Sequence, residues 1–207
     1  KPEWTRDGKA VLVVSDREGR FALWMHPTDH VSPSSPLLKL AGGAIGDAVF
    51  SADGTTLVYK GQSKTVKAGW WYRRLKGDTT ARPVEGVPAN AAAALLSPDG
   101  RWIAYSSSET GRHEVSVSPF PGPGARYPVS VDGGATPAWS PDGTRLYFRH
   151  ARNLVAATIS VTPTFEVVSL ATIFSESPAL SNTEAGWSHA NFDVSPDGAQ
   201  FLLVQPA

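Results

Sequence analysis

The sequence predicts an all-β fold, a β-propeller of four four-stranded blades plus a partial fifth. Three observations predict it. A short phrase ending in Asp-Gly occurs five times, as Thr5-Arg6-Asp7-Gly8, Ser51-Ala52-Asp53-Gly54, Ser97-Pro98-Asp99-Gly100, Ser140-Pro141-Asp142-Gly143 and Ser195-Pro196-Asp197-Gly198. Its aspartates lie 46, 46, 43 and 55 residues apart, a period that suits a blade of short strands. Short apolar pieces precede the second to fifth copies and alternating apolar runs follow them, the pattern of strand, tight turn, strand.

The phrase is a turn for physical reasons. Proline at its second position presets φ, Ser and Asp side chains bond nearby backbone amides, and Gly supplies the positive φ that closes the hairpin. Asp7, Gly8, Asp53, Gly54, Asp99, Gly100, Asp142, Gly143, Asp197 and Gly198 therefore read as structural turn residues.

The elements follow in order. In the first unit, about residues 1–46, Glu3-Trp4 leads into the turn and Arg20 to Trp24 forms a third strand. A Pro/Ser loop from Pro27 to Pro36 then precedes a fourth strand, Leu37 to Leu40. The second unit, about 47–92, offers Ala48 to Phe50, Thr56 to Tyr59, Gly69 to Arg73 and Ala81 to Val84. The third, about 93–136, offers Ala94 to Leu96, Trp102 to Tyr105, His113 to Val117 and Arg126 to Val129. The fourth, about 137–189, offers Pro137 to Trp139, Leu146 to Phe148, Asn153 to Thr158 and Phe165 to Val168. Residues 190–207 supply only an inner pair, Asn191 to Val194 and Phe201 to Val204. Pro83 and Pro128 fall on fourth strands, which suits outer edges that need no complete hydrogen-bond ladder. The repeat argues for one β-propeller domain over 1–207.

That last half-blade needs cover, because an open edge and an apolar face are both liabilities in water. Three completions are expected: further chain, a partner subunit in a homo-oligomer, or a compact ring with a two-stranded last blade. Leu202, Leu203 and Val204 are expected to be buried in the assembly.

Composition narrows the function. Lys+Arg and Asp+Glu number 19 each, so no net basic charge marks a nucleic-acid partner. The longest run of small apolar residues, Ala91 to Leu96, is far too short to span a membrane. The chain has no cysteine, which excludes disulfides, thiolate catalysis and Cys-ligated zinc.

Strand connections sort the polar residues by face. All five Asp-Gly turns share one face with the third-to-fourth connections, while the second-to-third loops and the inter-blade links share the other. The second face collects Asp16, Glu18, Asp47, Lys64, Lys67, Glu109, Asp132, His150, Arg152, Glu184, Trp187 and His189. Of these, His150, His189, Glu109, Asp132, Glu184, Trp187 and Arg152 are the ligand or metal candidates, because carboxylates and imidazoles are the donors a divalent cation takes. The plain alternative is that they are solvated loop residues. No cofactor is predicted, and a divalent cation is the one that such a cluster could hold. His26, Asp29 and His30 sit in a Pro-containing loop, where their spacing loses the meaning it has on a helix. Ser188 in Gly186-Trp187-Ser188-His189-Ala190 lacks the strand-to-helix setting of a nucleophile elbow.

The run from strand through Ser-Pro-Asp-Gly to strand, then a Gly turn such as Ser108-Glu109-Thr110-Gly111-Arg112, resembles the blades of TolB-like β-propellers, a WD-like repeat of the PD type. The stretch from Leu96 to Phe148, with Pro119-Phe120-Pro121-Gly122 and Val131-Asp132-Gly133-Gly134, is similar to propellers attached to some bacterial serine/threonine kinases. The resemblance implies a bacterial scaffold in a periplasmic or extracellular setting. It implies partner-binding proteins, sensor-like appendages and hydrolase-linked propellers alike, so it does not choose a function. The leading expectation is a non-catalytic binding or sensor module for a protein, peptide or small ligand. The alternatives are a small metal-dependent hydrolase of esters or phosphoesters, and a fragment of a larger propeller without independent activity.

Overall fold

The computed structural model describes residues 2–162, 164–175 and 192–203. Among them every regular element is a strand. The chain divides into two compact units, Lys1–Ala89 and Asn90–Ala207.

The first unit holds two four-stranded antiparallel meanders. One is β1 (Glu3–Trp4), β2 (Ala10–Ser15), β3 (Ala22–Pro27) and β4 (Ser35–Leu38), hydrogen-bonded in that order. The other is β5 (Ala44–Phe50), β6 (Thr56–Gln62), β7 (Gly69–Arg74) and β8 (Arg82–Pro83). Leu12 and Leu23 of the first sheet pack on Ile45, Ala48, Leu57 and Tyr59 of the second. All six are buried.

The second unit holds two more meanders and a hairpin. β9 (Ala92–Leu96), β10 (Trp102–Ser107), β11 (Glu114–Pro119) and β12 (Tyr127–Pro128) form one sheet. β13 (Ala135–Trp139), β14 (Arg145–His150), β15 (Asn153–Ser160) and β16 (Glu166–Ser175) form the next, and β17 (Phe192–Val194) pairs with β18 (Phe201–Leu203). Side chains alternate across a strand, and β14 uses both faces. Leu146 and Phe148 join Val115 and Val117 of the preceding sheet and Val129 just beyond its outer strand. Tyr147 turns the other way, towards Phe192, Phe201 and Leu203 of the hairpin. The Tyr147 and Phe201 rings meet edge-on at 4.9 Å.

The four-stranded blades, their order and the two-stranded fifth agree with the sequence reading. The outer strands differ in extent. β4 begins at Ser35 rather than Leu37, with Pro36 opposite Trp24, a position at an outer edge that asks for no further N–H donor. β16 runs on to Ser175 because no proline or charge interrupts Val167 to Ser175. Leu203 packs against Phe192, whereas Leu202 is 70% exposed; Val204 lies outside the described residues.

One recurrent feature has no counterpart in the sequence reading. The first strand of three sheets carries an extra residue against its neighbour, between Ile45 and Asp47, between Ala92 and Leu95, and between Ala135 and Ala138. Ala93 and Thr136 adopt left-handed φ of 52° and 50° there, as β-bulges allow. Asp47 therefore lies within β5, opposite Lys60, and not in a loop.

Candidate functional site

The five turns share one hydrogen-bond scheme. The hydroxyls of Thr5, Ser51, Ser97, Ser140 and Ser195 donate to Oδ1 of Asp7, Asp53, Asp99, Asp142 and Asp197 at 2.5–2.7 Å. The same carboxylate oxygen accepts the N–H two residues on, from Lys9, Thr55, Arg101, Thr144 and Ala199. The hydroxyl oxygen accepts an N–H five residues on, for example Arg145 N at 2.9 Å on Ser140 Oγ. Each turn Gly has φ between 68° and 72°, which only a residue without Cβ adopts freely. Hydrogen bonds from the hydroxyl and then the backbone hold Asp7, Asp53, Asp142 and Asp197 below the usual carboxylate range. Burial pulls Asp99 upward, but the bonds from Ser97 and Arg101 outweigh it. The turn carboxylates are thus ionised and structurally employed.

Each unit opens a cleft between neighbouring turns. In the first, a cavity of about 550 Å³ has Met25, Leu37, Phe50 and Leu75 as its apolar floor, with Arg6, Asp7 and Asp53 at its rim. In the second, a cavity of about 450 Å³ lies between Trp102, Trp139 and Ile159, with Asp99, Arg101 and Asp142 around it. Trp102 is braced from behind by Tyr127 and Phe165, at ring distances of 5.9 and 5.1 Å. Two turn aspartates and one arginine leave each rim with one net negative charge.

Of the residues singled out from the sequence, Glu109, Asp132, His150 and Arg152 lie at the opposite end of the sheets. Glu109 and Asp132 are each paired with an arginine. Glu109 Oε2 accepts from Arg126 Nη1 at 2.6 Å. Asp132 Oδ1 accepts from Arg112 Nη2 at 3.0 Å, and Arg112 Nε donates to Glu114 at 2.6 Å. Glu114 in turn accepts from the Ser130 hydroxyl. His150 ends β14 beside this group, its ring against Gly133, and Arg152 follows in the β14–β15 turn. Glu184, Trp187 and His189 lie outside the described residues. Among the described residues no three His, Asp or Glu side chains are grouped as metal ligands. His26 lies at the end of β3 and not in the loop, and bonds Ser34 Oγ through Nδ1 at 2.5 Å, while Asp29 in the following loop accepts from Val31 N and Ser32 N, so both are occupied within the β3–β4 connection. The turn-end clefts are what sequence reading missed, since their walls come from strands far apart in the chain.

No protein-family model matches the chain, and no curated protein matches it. Solved structures do. TolB from Acinetobacter baumannii superposes with a TM-score of 0.69 at 18% identity, over 97% of this chain and 47% of that one. An oligogalacturonate lyase in complex with manganese gives 0.68 at 13% identity, over 100% of this chain and 58% of that one. A functionally unknown protein from Desulfotomaculum acetoxidans gives 0.59 at 15% identity, over 99% and 62%. The chain spans less than two thirds of the length of each. Among the described residues no helix is long and apolar enough to cross a membrane. The repeat, the meander order and these superpositions together give the chain the fold of the TolB-like β-propellers.

Proposed function

We propose that the chain is a non-catalytic binding module whose turn-end clefts take a protein or peptide partner through basic side chains set among apolar ones. One observation carries this reading. Clefts in both units repeat the same design, an apolar floor under two ionised aspartates and a single arginine. Apolar floors supply contact area, and the net negative rim selects the sign of the partner's charge.

The experiment is a fluorescence-anisotropy titration with three labelled peptides, alternating Lys-Leu, Glu-Leu and Lys-Ser. The Lys-Leu peptide is expected to bind best. Asp53→Asn and Asp142→Asn, which keep an acceptor for the turn, are expected to weaken it about two- to fivefold each, the effect of one exposed charge pair. Equal binding of Lys-Leu and Glu-Leu peptides overturns the reading. Binding is also expected to survive a chelator, since no divalent cation enters this design. A chelator-sensitive ester or phosphoester hydrolysis lost in His150→Ala or His189→Ala would instead establish the hydrolase alternative.

Leu202 of the β17–β18 hairpin, exposed among the described residues, is assigned in the same reading to contact with a second copy of the chain.

A further inference from the structure

At the end of the first unit opposite the turns, a separate cavity of about 270 Å³ opens between the two sheets. Its wall is made of very small residues, Ala44, Gly46, Gly61, Ala68 and Gly69. Phe21, half-exposed, stands at its side, and the N–H of Ile45 bonds the Phe21 carbonyl at 3.1 Å. Lys60 is the one ionisable side chain of the lining. Behind it Asp47 faces Lys60 across the β5–β6 ladder. Burial pushes the Asp47 carboxyl up to about 6, with Glu3 adding to the rise and Lys60 opposing it, and burial lowers Lys60.

The sister sheets act as internal controls. Asp47 stands four residues before its turn Ser51 and Lys60 nine after it. The corresponding positions are Ala93 and Ser106 in the third repeat, and Thr136 and Arg149 in the fourth. A blade therefore folds without an acid–amine pair at this place. Gly46 is similarly optional for the backbone. Its φ lies outside the left-handed region and a Cβ there would meet nothing within 4 Å, whereas a Cβ on Gly61 would come within 2.8 Å of Leu40 Cδ1. Gly46 leaves room that the fold does not require.

We propose that this cavity binds a small monocarboxylate with a compact apolar body, its carboxylate paired with the Lys60 ammonium and its body lying along Phe21 and the glycine-alanine wall. A single cation, with the Gln62 amide as the lining's other polar side chain and no hydroxyl, matches one negative charge on an apolar frame. A phosphate would bring more charge and more acceptors than this lining answers. The incoming carboxylate competes with Asp47 for Lys60.

The test uses benzoate as the probe and benzamide as its uncharged counterpart, titrated against the whole chain by ligand-observed NMR at neutral pH. Benzoate is expected to bind, with benzamide weaker by about tenfold, the ratio that loss of ~1.4 kcal/mol produces. Lys60→Met should abolish the preference for benzoate. Gly46→Leu should block both probes while leaving Lys60 in place, which separates filling of the cavity from loss of charge. Asp47→Asn should tighten benzoate severalfold by ending the competition. Circular dichroism of each variant confirms that it folds. Benzamide binding as tightly as benzoate, unchanged benzoate binding in Gly46→Leu, or no benzoate binding by the wild type at millimolar concentration overturns the proposal.

Discussion

Pro98 of one turn abuts Gly143 of the next, such that a Cβ on Gly143 would sit 3.6 Å from Pro98 Cδ. The same relation joins Pro141 to Gly198 and Arg6 to Gly54, at 3.8 Å in each case. These are ordinary van der Waals contacts, so a methyl group at Gly143 fits the space. What it does not fit is the φ of 71°. Gly143→Ala should therefore destabilise by ~1–2 kcal/mol from backbone strain alone. Gly143→Asn should cost less, since Asn tolerates that region. Urea unfolding midpoints measure both, and a neutral Gly143→Ala would contradict the strain account.

Ser140 is the second point of sensitivity. Its hydroxyl is buried, donates to Asp142 at 2.6 Å and accepts from Arg145 N at 2.9 Å. Ser140→Ala strands that amide and is expected to cost ~1–3 kcal/mol in the same assay. Ser195→Ala, in a more open turn with the same bonds, should cost less. Equal losses would show that burial does not set the penalty.

The two kinds of aspartate give opposite responses to pH. Turn aspartates such as Asp142 have lowered pKa values because the fold bonds the ionised form. Their contribution is complete above the unfolded value near 4 and is lost as pH falls through the folded value. Asp47 is raised to about 6, chiefly by burial. Between about 4 and 6 the folded chain holds a proton that the unfolded chain has released, so stability falls as pH rises through that window, by ~3 kcal/mol at most. Thermal midpoints from pH 4.5 to 7.5 should show this decline, and Asp47→Asn should flatten it. A variant that keeps the full decline would assign the slope to another group.

Leu202 offers a check on the fifth sheet. Exposed in the chain by itself, it should accept Lys with a change in unfolding free energy inside about 0.5 kcal/mol. If a second copy covers it, Leu202→Lys should convert a dimer into a monomer in sedimentation. A wild-type chain that sediments as a monomer at every concentration removes the second copy from that face.

How much of this could be read from the residues depends on the range of the interactions involved. The turns were legible because every bond in them closes within a few residues, from Ser140 to Arg145 or from Thr5 to Ala10. Even the proline-free copies at Thr5 and Ser51 keep the scheme. The bulges were not legible, since Ala93 and Thr136 carry no side-chain preference for left-handed φ and are driven there by the register of the sheet. Glu109 and Asp132 were found as charges on one face, but their partners Arg126 and Arg112 lie 17 and 20 residues away. Only the folded chain reveals that such carboxylates are already engaged. The cleft walls, drawn from Met25, Phe50 and Leu75 or from Trp102, Trp139 and Ile159, have no sequence signature at all.

Each turn carries its own wiring, and that bears on how such a chain could lengthen. A duplicated segment that includes one hydroxyl–aspartate–glycine closure brings every partner the closure uses, and asks nothing of the host beyond a neighbouring proline or arginine to rest on. Gain or loss of a whole blade then leaves the surviving corners intact. Grafting residues Ser140 to Arg145 in place of Thr5 to Ala10 is the laboratory version of that event, and the hybrid should fold with its first corner unchanged.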